Sequence, residues 1–288
     1  MDGSAFDLSW QSDACAVRVR PGVAGLRFAR RARRTVLAEV FQQAPLRVLV
    51  PETPDEPLPL AVLVNVAGGV VGGDRLETSL VLDTDAAAIV TGQAAEKIYR
   101  SAGPDSIIVS RATIGAGAWL EWLPQQTILF DGGRLRRRMV MDVAGDARVL
   151  AGEMLVFGRT ARGERVVRGL VDERWEIRCN GRLVWTDALT LDGDLGDILD
   201  DPMCFDGAGA YATMLYVGAD AADRLDLVRE LLPDGTVLAA ASCLGPLLVT
   251  RWLSREPHRL RQEFGRTWAA LRHALAALPP VLPRIWHI

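Results

Sequence analysis

Lysine, histidine and paired cysteine are scarce here, and each scarcity removes a class of chemistry. Lys97 is the only lysine among 33 basic residues, a bias that by itself assigns no function. The three histidines, His258, His273 and His287, all lie in the last 31 residues and show neither HxxxH nor HExxH spacing, so no imidazole metal site is written. Cys15, Cys179, Cys204 and Cys243 are far apart and form no CxxC pair, which argues against a zinc site or a disulfide framework and fits reduced thiols in a cytoplasmic protein. A GxSxG nucleophile elbow is absent. The net charge of −3 and the pI near 5.7 lack the basic excess of a nucleic-acid surface. The longest apolar stretch, Leu58 to Val71, is interrupted by Pro59 and Asn65 and falls short of the roughly 20 residues of a membrane span. The opening "MDGSAFDLSW" has no basic or apolar leader region, so it does not read as a signal peptide.

What is abundant is apolar sequence with strand patterning. Hydrophobic residues make up 49% of the 288, enough for a substantial core in what reads as a single domain over the whole chain. "CAVRVR", "RTVLAEVFQ", "LRVLV", "LAVLVNV", "LETSLVL", "SIIVSRATI", "RLRRRMVMDV" and "ERVVRGL" read as strands. "RWEIRCNGRLVWTDAL" predicts a hairpin, with Asn180-Gly181 supplying the positive φ values of a type I′ turn.

Two helices are expected, both late. In "DAADRLDLVRELLPDG", Leu225, Val228 and Leu232 recur at helical spacing before Pro233 and Gly235. In "RQEFGRTWAALRHALAAL", Phe264, Trp268, Leu271 and Leu275 form one stripe, read as a face packed on a sheet, ended by Pro279-Pro280. Three segments, "AAAIVTGQAAEKIYR", "AGAWLEWLPQQTILF" and "GDARVLAGEMLVFGR", echo one another. Aligning Ala88, Ala118 and Ala147 gives offsets of 30 and 29 residues, the scale of stacked units in a wound, solenoid-like β fold.

The run "NVAGGVVGGDRLE" raises the question of a phosphate cradle. A strand pattern, Leu76, Thr78, Leu80 and Leu82, follows it, whereas a phosphate loop opens a helix; neither GxxxxGK[ST] nor GxGxxG is present. Gly68, Gly69, Gly72 and Gly73 instead suit a tight turn or a close backbone approach, with Asp74 at the exit.

Carboxylates in apolar company carry more information. Glu121 in "AWLEWLP" and Glu153 in "VLAGEMLVF" each need a partner or water if buried. One reading is a structural pair with an arginine, for instance from "GRLRRRM". The other is a hydrated path through a β body, lined by Asp74, Glu121 and Glu153, whose oxygen ligands hold a divalent cation loosely enough to relay it. The basic clusters at Arg30–Arg34 and Arg134–Arg138 alternate within strand patterning, so their side chains point to two faces and not all can meet one partner.

These segments resemble the urease accessory protein family UreD, called UreH in some systems. The likeness runs through "NVAGGVVGGDRLE", "TGQAAEKIYRS", "GAWLEWLPQQTILFDGGRLRRR", "EMLVFGRTARGE", "RCNGRLVWTDAL" and the terminal "PRIW". It implies a mainly β, helically wound, non-catalytic cytoplasmic protein with two helices. The implied partners are UreF, the GTPase UreG through UreF, and apo-urease, with no nucleic acid and no membrane. The implied role is nickel insertion, with nickel in transit rather than tightly bound and Asp74, Glu121 and Glu153 as candidates for an internal path. Val66 stands where the family often has proline, and Gln126 where glutamate is common. A competing reading is a β-solenoid carbohydrate-active enzyme using Asp74, Asp131 and Glu153; a third is an interaction module without any metal path.

Overall fold

The computed structural model describes residues 20–233 and 235–287. Strands dominate from the start: β1 (Gly22–Arg31), β2 (Arg34–Gln43), β3 (Leu46–Leu49), β4 (Leu60–Asn65), β5 (Arg75–Leu82), β6 (Ala87–Gly92) and β7 (Glu96–Ile98). They continue as β8 (Ser106–Ile114), β9 (Trp119–Leu123), β10 (Thr127–Leu129), β11 (Arg134–Val143), β12 (Arg148–Phe157), β13 (Arg168–Cys179) and β14 (Arg182–Asp194). After helix α1 (Leu195–Asp200) come β15 (Ala210–Val217), α2 (Leu225–Leu231), β16 (Val237–Leu244), β17 (Leu247–Ser254) and α3 (Pro257–Ala276). The strand expected at "CAVRVR" lies, but for Arg20, outside the described residues.

The protein is mainly β, with a solenoid-like arrangement. One sheet has seven strands in the order β14-β13-β11-β8-β5-β1-β2; the other has ten, running β16-β17-β15-β12-β9-β6-β4-β3 with β10 and β7 joined to its side. The chain winds between them. β5, β8 and β11 lie parallel in the first sheet and β6, β9 and β12 parallel in the second, so each turn gives one strand to each sheet. The echo read in the sequence is this winding, with one adjustment. Trp119 pairs with Arg148, the 29-residue offset expected, but Ala87 pairs with Trp119, an offset of 32 rather than 30. The other sheet keeps the same two steps, Leu76 to Ile108 and Ile108 to Arg137. The two-residue slip leaves every side chain on the face the sequence alignment gave it, because the strand period is two.

The Asn180-Gly181 hairpin joins β13 and β14 as expected, with φ of 51° and 75°. The expected helices are α2 and α3. α2 is shorter than its pattern, since a 3-10 turn occupies Ala222–Arg224 and Leu232 is already extended. α3 starts at Pro257, whose missing N–H costs nothing in a first turn, and stops at a left-handed Ala277 before the two prolines. The short α1 carried no periodic signal; the buried Leu195 and Leu199, with the half-buried Ile198, are its apolar contacts.

The middle of the ten-stranded sheet, at β9 and β12, is covered on both sides. Its inner face meets the seven-stranded sheet through Leu120, Trp122, Val149, Ala151 and Leu155. Its outer face meets α3 through Trp119, Leu123, Leu150 and Met154 against Phe264, Trp268, Leu271 and Leu275. That explains why β9 and β12 read as continuous apolar runs rather than alternating ones. Gly152 on β12 sets how closely the helix sits, for a Cβ there would lie 2.6 Å from Phe264 Cζ and 3.2 Å from Trp268 Cζ3. Gly152→Val is expected to lower unfolding free energy by about 1–3 kcal/mol through overpacking, measured as a shifted urea midpoint.

Candidate functional site

A cavity of about 260 Å³ lies between the sheets, and its polar lining is unusual for such a core. It reaches the surface between the turn after β4 and the loop after β6, where Gln93, Ala94 and Lys97 are exposed. The seven-stranded sheet contributes Thr78, Ser110 and Arg137; Trp122, Glu153 and Thr127 face them. Asn65 and Glu96 stand toward the mouth, joined by a 3.1 Å hydrogen bond from Asn65 Nδ2 to Glu96 Oε1.

Arg137 is drawn inward by strand alternation. Its neighbours of the same parity on β11, Leu135, Met139, Met141 and Val143, are buried in the inter-sheet core, while Arg134, Arg136 and Arg138 point outward to pair with acids on the other face. Three oxygens converge on the buried guanidinium. Glu173 accepts from Nε at 2.8 Å and also from Nη2, and Thr127 Oγ1 lies 2.7 Å from Nη1. Glu153 Oε2 is 2.8 Å from Nη1 as an ion pair, but accepts no aligned hydrogen bond; its Oε1 is 3.4 Å from Trp122 Nε1.

Burial pushes the Glu153 carboxyl up to about 7, with Arg137 opposing and Glu173 adding to the rise. Burial likewise pushes Glu96 up to about 7, against its bond from Asn65 and the attraction of Arg137 and Lys97. The lining therefore holds two acids that exchange protons near neutrality, held beside a cation that does not.

Glu121 faces the opposite way. Its position on β9 alternates with the inward Leu120 and Trp122, so it sits under α3, fully buried. Trp268 Nε1 donates to Oε2 at 2.8 Å, Trp119 Nε1 to Oε1 at 3.2 Å, and Arg272 Nε to Oε1 at 3.1 Å. Arg272 also holds Glu56 at 2.9 Å and the carbonyls of Pro279 and Val281. Burial raises the Glu121 carboxyl above its ordinary range against the pull of Arg272 and the two indoles. This cluster ties the helix, the terminal segment and the loop before β4 to the sheet.

Asp74 is at a third place. Its Oδ2 accepts the Val71 N–H at 3.0 Å and closes the glycine turn. That turn is a close backbone approach: a Cβ on Gly69 would fall 2.4 Å from Tyr99 and one on Gly72 2.1 Å from Ser101 Oγ, and Val70 bridges to Ile98. Of the three acids expected on one path, only Glu153 lines the cavity. Asp131, named with Asp74 and Glu153 for a glycosidase, instead anchors a loop through the N–H groups of Val167 and Arg168 and through Arg100. His258, His273 and His287 are exposed, and among the described residues no group of three or more His, Cys, Asp or Glu is arranged to hold a metal ion.

The structural pair with an arginine of "GRLRRRM" is found at Glu153, with Arg137 as the partner, whereas Glu96, Glu173 and Arg272 were missed. Parity on "RLRRRMVMDV" would have turned Arg137 inward, and Arg272 follows Trp268 by four positions on the apolar stripe. Glu96, in a three-residue strand, left no periodic signal.

The family profile described as UreD urease accessory protein matches residues 20–287. The chain belongs to the UreD family. It is 42% identical over 272 residues to the urease accessory protein UreD of Magnetococcus marinus, covering 93% of this chain and 94% of the relative. The UreD of Azorhizobium caulinodans is 39% identical, covering 93% and 95%. UreD 1 of Methylobacterium radiotolerans is 46% identical over 230 residues, 78% and 77% of the two chains. In this UreD-family chain, Gln126 accepts a 2.8 Å hydrogen bond from Arg261 Nε, so the neutral amide keeps a contact in which glutamate would form an ion pair.

Arg272→Ala leaves Glu121 and Glu56 buried without their counter-charge and is expected to cost about 3–5 kcal/mol, read from denaturant unfolding. Glu96 and Glu153 hold protons more tightly folded than unfolded, where carboxyls titrate near 4.5. Their contribution thus favours the fold at low pH and is lost as pH rises through about 7. Glu96→Gln should therefore gain stability relative to the parent between pH 5 and pH 8, on the order of 1 kcal/mol, seen as a widening difference in Tm.

Proposed function

We propose that the chain is a non-catalytic scaffold for urease maturation that also conducts nickel. In this reading it joins UreF, which docks the GTPase UreG, and the assembly engages apo-urease in the cytoplasm so that nickel reaches the active site. Nickel is cargo, with no tightly bound cofactor. The observation that carries the conduction part is the cavity, where the buried Glu153 and the half-buried Glu96 line a space open to the surface. Hard oxygen donors without thiolate or imidazole bind a divalent ion weakly, which suits transfer better than storage.

Membership in the UreD family supports the urease context. Apolar side chains exposed on two edge strands, Val40 and Phe41 on β2 and Leu238 and Leu244 on β16, supply surface of the kind that protein partners cover. A glycosidase reading is disfavoured because Asp74, Asp131 and Glu153 share no cleft, whereas glycoside hydrolysis needs two carboxyls flanking one bond.

Deleting the gene beside intact urease subunits should abolish urease activity and nickel content at low external nickel; full activity would reject the proposal. Glu153→Ala, expressed in place of the parent, should lower activation by roughly tenfold, about 1.4 kcal/mol in effective transfer, while co-purification with UreF and urease persists. Unchanged activation with intact assembly would leave scaffolding without conduction.

A further inference from the structure

We propose that Arg137 is a resident counter-cation that prevents the cavity from retaining a divalent metal ion. The inference rests on the reading that the cavity admits such an ion. The guanidinium sits where that ion would be held, among the carboxylates of Glu153 and Glu173 and the hydroxyl of Thr127. These are three side chains from three strands, β12, β13 and β10, converging on one point beside the apolar inter-sheet core. Glu153 is 7% exposed, lines the cavity, and its Oε2 accepts no hydrogen bond.

The charge balance points the same way. Glu153 and Glu173 pair with one buried guanidinium that also attracts Glu96, with Lys97 exposed at the mouth. A divalent ion without Arg137 would meet a cage with ample negative charge and would be kept. With Arg137 in place, every ion that enters must compete with a permanently protonated group already bound to the same oxygens. Burial of an unpaired carboxylate is costly, so the guanidinium and the ion are alternative solutions to the same electrostatic demand. Arg137 thereby sets residence time. Arginine suits this role better than lysine, because its planar fork reaches Glu153, Glu173 and Thr127 together, whereas an ammonium is a single point charge.

The test compares Ni²⁺ binding by the full-length chain and its Arg137→Gln variant, using calorimetry and metal content after gel filtration. The parent is expected to retain no Ni²⁺. Arg137→Gln should retain about one ion per chain and bind at least tenfold more tightly, a gain abolished by adding Glu153→Gln. Equal, weak binding by parent and Arg137→Gln would overturn the proposal. If Arg137→Gln does not fold alone, rescue of its thermal transition by Ni²⁺ supports the proposal, and an unfolded chain even at millimolar Ni²⁺ overturns it. Arg137→Lys should give an intermediate gain. Tight binding by Arg137→Gln alongside normal urease activation in every Glu153 variant would uphold the role of Arg137 and refute the conduit separately.

Discussion

Two central strands covered on both faces, β9 and β12, govern this molecule. Each residue of β9 or β12 has two possible surroundings, the inter-sheet core or the underside of α3, and the strand period of two decides between them. Neither face is solvent, so a charged residue in these strands must find its partner inside the protein. Glu121 and Glu153 are each an odd-numbered residue, yet the pairing of Leu150 with Glu121 places them three positions apart on the aligned turns. Three is odd, so they face opposite ways. One acid becomes part of a helix anchor and the other part of a cavity wall.

The two buried arginines solve similar electrostatic demands with different geometry. Arg272 is fully buried and its donors are occupied by two carboxylates and two carbonyls, all from segments it holds together. Such a saturated cluster resists change, because moving any member strands several others. Arg137 has strong partners too, but it borders empty volume and one facing carboxylate oxygen lacks a hydrogen bond. Adjoining room is what distinguishes it from the sealed Arg272 cluster. The same residue type thus serves as a lock on one face of the sheet and as a displaceable occupant on the other.

Much of this was legible before any coordinates. The hairpin was readable because Asn-Gly between alternating runs admits few other geometries, and α3 because a stripe of aromatics and leucines at helical spacing lies between two prolines. The winding was visible in the alanine-led echo, off by two residues at its first step. The parity of Glu121 and Glu153 was also contained in that echo, since Ala118 and Ala147 align Glu121 with Leu150. What was not legible had a common cause. Glu96 lies in a three-residue strand and α1 has six residues, and segments so short do not display a period. The pairing of Arg272 with Glu121 spans 151 residues of sequence, a separation no local pattern encodes.

The cavity itself follows from side-chain size at matched rungs. Leu76, Ile108 and Arg137 stand in one parallel register column, and Thr78 beside Ser110 in the next inward one. In the inward column after that, Leu80, Ala112 and Met141 fill the inter-sheet space with hydrocarbon. Thr78 and Ser110 are too short to span the gap and too polar to favour collapse onto it, and Gly92, Ala94 and Ala95 on the facing side add little volume. A void lined by hydroxyls holds water readily, whereas one lined by leucine stays dry. Glu96, Glu153 and Arg137 border that space, so the polar groups gather at the rungs where short side chains leave room and the winding continues unbroken on either side.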